Sequence, residues 1–264
     1  MRTLVPILVV LVALIAGAST PRAAEESAPA MAPIPPECVA PDAEVASVAP
    51  LPAIAKALSE RKKVVALAIG GSALGVGRKG GDYFALVETF LEQTFKGLDV
   101  VIVQRGVSGE LARDAAERIK LETARSGPDV VFWQVGTADA LAGVDPQEFG
   151  QTLRDTIGWL REHDVDTVLI GLHYSRALAR DPHYQAVRGK VVEVAKTENV
   201  LRISRYEVME TLAKIQQSAR LPETDTELTA TSYNCMAEYL ARSLATGIFG
   251  RAKITPPARS PDKR

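Results

Sequence analysis

The chain has 264 residues, of which 47% are hydrophobic and 24% are charged, and its formal net charge is −1 at pH 7. This composition is typical of a folded globular protein and excludes an intrinsically disordered chain. The near-zero charge excludes the broad basic surface that nucleic-acid binding requires, so we expect no nucleic-acid partner. The length suffices for one α/β domain with extensions at its ends.

The amino terminus has the pattern of a secretory signal peptide. Arg2 is followed by an uncharged, apolar run from Leu4 to Ala18 that ends in small residues. The run is shorter than the ~20 residues that span a bilayer, which favours cleavage over a retained anchor. We therefore predict a signal peptide over residues 1–18, with a second candidate cleavage point near Ala24. The mature protein is expected in the periplasm or outside the cell, with no stable membrane span.

Proline-rich segments flank the predicted domain. Residues 19–52 are rich in proline and alanine, which predicts an extended linker rather than a packed element. Residues 251–264 carry prolines among basic side chains, which predicts a disordered tail. The folded domain is therefore expected over residues 53–250.

Short apolar runs rich in β-branched residues alternate with amphipathic stretches through this domain. Continuous apolar runs are typical of strands that are buried on both faces of a parallel sheet. The alternation predicts an α/β fold, a three-layer sandwich whose five-stranded parallel sheet has helices on both faces. The predicted strands are Val64–Ile69, Val100–Val103, Val130–Val135, Thr167–Ile170 and Val200–Ile203, and the predicted helices are Tyr83–Phe95, Glu110–Ala124, Pro146–Glu162, Pro182–Thr197, Tyr206–Ser218 and Ser232–Ile248.

Ligands of such sheets bind at the carboxyl ends of the strands, so the turns that follow the strands are candidate sites. The first turn contains Ser72 after two glycines, where a serine is exposed as a nucleophile beside backbone N–H groups. Alone this signal is weak, because glycine-rich turns also form tight corners or bind phosphate. The second turn contains Gly106, and the third reads Gly136-Thr137-Ala138.

With these turns in this order, with Asp181-Pro182-His183-Tyr184 and with the residues from Ser232 to Ala237, the chain resembles the SGNH (GDSL-type) hydrolases over about residues 64–248. The resemblance implies the flavodoxin-like fold of that family and a serine esterase chemistry without a cofactor. It implies that Ser72 occupies the nucleophile position. It also implies that Gly106 donates a backbone N–H to the oxyanion hole.

Three side chains that this chemistry uses are replaced. Ala138 stands where the family has the oxyanion-hole asparagine, while Thr224 and Glu227 stand where it has the Asp and the His of its last motif. Losing one oxyanion donor typically costs about 10²–10³ in kcat, and losing triad members costs on the order of 10⁴–10⁶. We therefore expect an impaired or inactive hydrolase-fold protein that binds a small acyl ester or a carbohydrate.

The alternative is an active acyl esterase in which Ser72 is served by a relocated base. His173 follows the fourth predicted strand at the carboxyl edge, and Glu227 precedes the last helix, so either is a candidate. The plainer interpretation of His173 is a rim histidine that hydrogen-bonds the backbone. We expect no metal site, because three separated histidines and two distant cysteines do not form a zinc centre.

The two cysteines of the chain are Cys38 and Cys235. Because export places them in an oxidising compartment, we predict a disulfide between them. The bond would close a very long loop and would pin the amino-terminal arm to the last helix. The alternative is two unpaired thiols, with Cys235 buried on a helix face.

Overall fold

The structure of the protein is a computed structural model that describes residues 33–39, 45–70, 83–94, 97–218 and 230–249. Ser72, Thr224 and Glu227 lie outside the described residues, as do the predicted signal peptide and the predicted basic tail.

A five-stranded parallel sheet forms the centre of the molecule and confirms the predicted fold class. The strand order is β2-β1-β3-β4-β5. β2 therefore lies on one side of β1, and β3, β4 and β5 follow on the other side. In such sheets, ligands bind at the carboxyl ends of the two strands on either side of the switch point, which here are β1 and β3. The strands are β1 (Lys63–Gly70), β2 (Asp99–Gly106), β3 (Val130–Gln134), β4 (Asp166–Ile170) and β5 (Leu201–Ile203).

Helices cover both faces of the sheet, and each face has its own hydrophobic core. Along β3, Val130 and Phe132 pack into one core while Val131 and Trp133 pack into the other. This burial on both faces is the physical reason for the continuous apolar strands. The helices are α1 (Pro52–Arg61), α2 (Tyr83–Thr94), α3 (Ala112–Ser126), α4 (Thr137–Leu141), α5 (Pro146–Glu162), α6 (Pro182–Thr197), α7 (Arg205–Ser218) and α8 (Ala230–Phe249). Among these helices, none is long and apolar enough to cross a bilayer.

Two of these helices, α1 and α4, are not predicted by the sequence. The start of α1 is capped by Asp166, whose carboxylate accepts the Ile54 N–H at 2.9 Å from 112 residues away along the chain. A cap that distant has no local sequence signature. The α4 helix is a single short turn, too short for helical periodicity to be read.

The end of the Pro/Ala-rich segment packs against the domain, so the predicted unpacked linker is too long at its carboxyl end. Ala46 bridges Ile203 in an antiparallel pair, and the Ser47 N–H donates to the Arg202 carbonyl at 2.9 Å. Ala49 is buried in the core. These contacts cover the open edge of β5, which would otherwise expose unpaired backbone groups.

The predicted disulfide is confirmed. Cys38 and Cys235 are bonded with an S–S distance of 1.98 Å across a sequence separation of 197 residues. Both cysteines are buried. The Tyr239 hydroxyl of α8 also donates to the Cys38 carbonyl. The amino-terminal arm is therefore fixed to α8 by a covalent bond and a buried hydrogen bond.

Candidate active site

The carboxyl ends of β1, β2 and β3 lie side by side at one edge of the sheet. Gly70, the last residue of β1, pairs with Gly106 of β2. On its other side Gly70 lies so close to β3 that a Cβ atom there would be 2.6 Å from the Cβ of Gln134. Its φ of 142° also favours glycine. The end of β1 at Gly70, Gly106 at the end of β2 and the turn of Ala138 after β3 therefore lie at the same edge of the sheet.

The backbone direction at Gly106 bears on its predicted role. The Val107 N–H donates to the Gly70 carbonyl at 2.8 Å. Because successive N–H groups of a strand alternate in direction, the Gly106 N–H points away from β1. The Ile102 N–H, which has the same direction, donates at 2.8 Å to Glu88 of α2 beyond the outer edge of β2. This direction weighs against an oxyanion contact from Gly106, whose role stays a prediction.

A second glycine, Gly109, lies farther along the same turn and is not singled out by the sequence reasoning. It is exposed and has a φ of 73°, which a glycine adopts without strain. Its position in a Ser-Gly pair before a helix is the sequence signal that could have marked Gly109 as a turn residue with a positive φ.

The turn between β3 and α4 has a tightly constrained shape. Gly136 has a φ of 93°, and a Cβ atom at this position would lie 2.5 Å from Cδ1 of Leu172. The turn therefore requires glycine. Ala138 follows in α4, half-buried, and presents a methyl group to its surroundings. A methyl group donates no hydrogen bond, so the side chain at this position cannot stabilise an oxyanion.

Asp139, also not singled out by the sequence reasoning, ties this turn to the neighbouring helix. Its carboxylate accepts the Ala112 N–H at 2.8 Å and so caps the start of α3 from 27 residues away. The N-cap residue of α3, Leu111, makes no side-chain cap of its own. Burial raises the pKa of Asp139, and its backbone hydrogen bonds oppose that increase.

His173 lies at the same edge, directly beyond β4, where the sequence predicts it. Its backbone N–H donates to the Thr137 hydroxyl at 3.0 Å. Its carbonyl accepts the Tyr184 hydroxyl. Helices α4 and α6 thus each contribute one side chain that fixes the His173 backbone beside the turn of Ala138.

The electrostatic surroundings make His173 a weak base. Burial, and to a smaller extent the positive charge of Arg205, lowers the pKa of His173 to about 4. The imidazole is therefore neutral at pH 7. A proton that it accepted would be held much more weakly than by an ordinary histidine.

Arg205 places a buried positive charge at this edge. It is the first residue of α7, close beyond the end of β5, and is 8% exposed. Burial raises the pKa of Tyr83 and of Tyr184, and the charge of Arg205 opposes both increases. Within the described parts of the chain, no group of histidine, cysteine, aspartate and glutamate side chains is placed to hold a metal ion.

Solved structures of esterases and related hydrolases share this fold at low sequence identity. LAE5, an alpha/beta hydrolase enzyme from the metagenome of Lake Arreo, is 20% identical with a TM-score of 0.56, over 71% of this chain and 97% of that chain. A catalytic mutant of Axe2, an acetylxylan esterase from Geobacillus stearothermophilus, is 21% identical with a TM-score of 0.54, over 72% and 97%. The psychrotrophic esterase EstA from Pseudoalteromonas sp. is 14% identical with a TM-score of 0.53, over 68% and 96%.

The comparison with curated proteins finds no match. The model of the Non-GDSL lipase-like family, in contrast, matches residues 37–249, a range that contains strands β1–β5 and helices α1–α8. The family match and the shared fold confirm the resemblance to SGNH hydrolases. The chain therefore belongs to the Non-GDSL lipase-like family, a divergent group with the SGNH/GDSL hydrolase fold.

Proposed function

We propose that this protein is an exported member of its family whose ester hydrolysis is impaired or absent, and that it binds a small acyl ester or a carbohydrate at the carboxyl edge of the sheet. The observation that carries the proposal is the methyl group of Ala138 in a turn whose shape is otherwise constrained by Gly136. The turn is retained, whereas the side-chain donor is lost.

Ester hydrolysis through a serine makes two demands on such a site. The nucleophile needs a base that removes its proton, and the oxyanion needs preorganised donors. Attack by Ser72 would place negative charge on the ester oxygen without an amide donor at Ala138, which typically costs about 10²–10³ in kcat. The Thr224 and Glu227 replacements remove the usual base and its orienting carboxylate as well.

The second candidate function is an active serine esterase that uses His173 or Glu227 as its base. It is favoured by the position of His173, whose backbone is fixed at the site by Thr137 and Tyr184. It is disfavoured by the pKa of about 4, because a base this weak gives little driving force for removing a serine proton.

The ligand class is proposed from the chemistry of the fold and its relatives. Axe2 is named as an acetylxylan esterase, so an acetylated sugar is a suitable first ligand to test. Export is supported by the buried disulfide, since such bonds persist in oxidising compartments.

Labelling with a serine-reactive fluorophosphonate tests the proposed loss of activity. The purified wild type should label no faster than its Ser72→Ala variant, because Ser72 lacks an effective base. Rapid labelling that disappears in both Ser72→Ala and His173→Ala would favour the active esterase. Calorimetric titration with acetylated xylo-oligosaccharides should show binding in the wild type and in Ser72→Ala alike, and no binding of esters or sugars would refute the ligand class.

A further inference from the structure

We propose that Arg118 is a positioning residue that fixes the turn of residues 106–110 at the carboxyl edge of the sheet, where the ligand site is proposed. Arg118 lies in the middle of α3, and its guanidinium contacts both ends of this turn. The inference rests on the proposed function, because it assigns a purpose to this turn as part of the ligand site.

The contacts of Arg118 enclose the turn from both sides. Its Nε donates to Oε1 of Glu110 at 2.7 Å and its Nη2 donates to Oε2, so the carboxylate is held by two parallel hydrogen bonds. Its Nη1 donates to the carbonyl of Arg105. One planar guanidinium thus links the residue before Gly106 to the residue after Gly109.

The burial of this pair distinguishes it from an ordinary surface ion pair. The side chain of Arg118 is 20% exposed and that of Glu110 is 8% exposed. Exposed ion pairs hold their geometry weakly, whereas a two-pronged and largely desolvated pair fixes both partners. Lysine cannot replace the arginine here, because a single ammonium group does not reproduce the planar fork of donors.

The start of the turn is tied to β1 by the Val107 N–H, which donates to the Gly70 carbonyl, but its tip is open to solvent. The residues from Gly106 to Gly109 are all exposed, and two of the four are glycines. Glycine samples many backbone conformations, so the part of the turn from Ser108 to Gly109 would be less restrained without a further contact. The Arg105 carbonyl belongs to the same planar peptide group as the Gly106 nitrogen, so the bond from Arg118 fixes the orientation of the peptide that begins the turn.

Hydrogen exchange tests the restraint without requiring any activity. In Arg118→Lys, the Val107 amide, which donates to the Gly70 carbonyl, should exchange about tenfold faster, because charge-assisted hydrogen bonds that hold the turn are lost while the fold remains. The double variant Glu110→Gln/Arg118→Met leaves no buried charge unpaired, so it should fold and show the same local increase. Arg125→Lys, an exposed arginine of the same helix, is the matched control. Unchanged exchange of the Val107 amide in both test variants would overturn the proposal.

A kinetic readout separates positioning from a purely structural role. In a variant with Ala138→Asn, Thr224→Asp and Glu227→His, which should regain ester hydrolysis, adding Arg118→Lys should lower kcat about tenfold with little change in KM. Equal kcat with and without Arg118→Lys would overturn the positioning role. Absence of turnover in the restored variant would instead count against the assignment of Ala138, Thr224 and Glu227 to the replaced positions, and hydrogen exchange would then decide on Arg118.

Discussion

The carboxylate of Asp166 accepts the backbone N–H of Ile54 at 2.9 Å and so joins the first residue of β4 to the first turn of α1. The carboxyl is buried, and burial, reinforced by the nearby charge of Asp129, raises the pKa of Asp166 to about 6. The bond that stabilises α1 is therefore made by a carboxyl group that is costly to ionise.

Replacing Asp166 should change the pH dependence of stability. Between about pH 4 and pH 6 the folded protein keeps a proton on Asp166 that the unfolded chain has lost, so this group makes stability fall as the pH rises. Asp166→Asn, which keeps an oxygen for the Ile54 N–H, should remove that slope, a difference of about 3 kcal/mol for a pKa raised from 3.8 to about 6. Urea unfolding at pH 4, 5, 6 and 7 measures it, and parallel curves for wild type and variant would refute the assignment.

His173 should make the folding stability rise with pH, the opposite of the effect of Asp166. Its folded pKa of about 4 lies below the ordinary value of 6.5, so the unfolded chain gains a proton first as the pH falls. Stability from this group is complete above pH 6.5 and is lost as the pH falls toward 4. His173→Gln should therefore lose less stability than the wild type between pH 7 and pH 5. Thermal unfolding at both values tests this, and an equal loss in the two proteins would contradict it.

Removing the disulfide should destabilise the domain strongly. Cys38→Ala/Cys235→Ala removes the covalent link between the arm and α8 and should lower the unfolding free energy by about 2–5 kcal/mol. Tyr239→Phe, which removes only the hydrogen bond to the Cys38 carbonyl, is the matched control and should cost about 1 kcal/mol. Denaturant unfolding compares them. Equal stability of the double variant and the wild type would show that the covalent link contributes nothing.

Glycine should be required at position 136 by space as well as by conformation. Gly136→Ala would place a Cβ atom 2.5 Å from Leu172, so we expect a loss of roughly 2 kcal/mol or more. Gly143→Ala has a similar positive φ of 71° but meets nothing within 4 Å, so its cost should be about 1 kcal/mol. The unfolding free energies of the two variants, measured by chemical denaturation, separate the cost of the contact with Leu172 from the cost of the positive φ. Equal losses would mean that the contact with Leu172 is irrelevant.

The elements that the sequence predicts well are those with local signals. The strand over Val130–Gln134 is recognisable because each of its faces is buried, and α5 and α6 because Asp145 and Asp181 cap them next to a proline. The helix α1 is missed because its cap, Asp166, comes from a distant strand. The position of His173 at the sheet edge follows from the order of strands.

The chemistry of the site is harder to read from the sequence, because it depends on pairing and packing. The direction of the Gly106 N–H follows from the register of β2 against β1, which no local pattern encodes. The low pKa of His173 depends on its burial and on Arg205, which joins the site from a different strand end. Arg118 of α3 links Arg105 and Glu110, which lie on either side of the turn, although α3 itself comes after the turn in the sequence.

The central claim, that the retained fold has lost its ester hydrolysis, is tested most directly by p-nitrophenyl acetate turnover in the wild type and in Ser72→Ala. Without an effective base for Ser72, and with a methyl group at Ala138, the two proteins should hydrolyse this ester at the same slow rate. A wild-type rate at least tenfold above that of Ser72→Ala, abolished by His173→Ala, would contradict the account and establish a working serine esterase with His173 as its base.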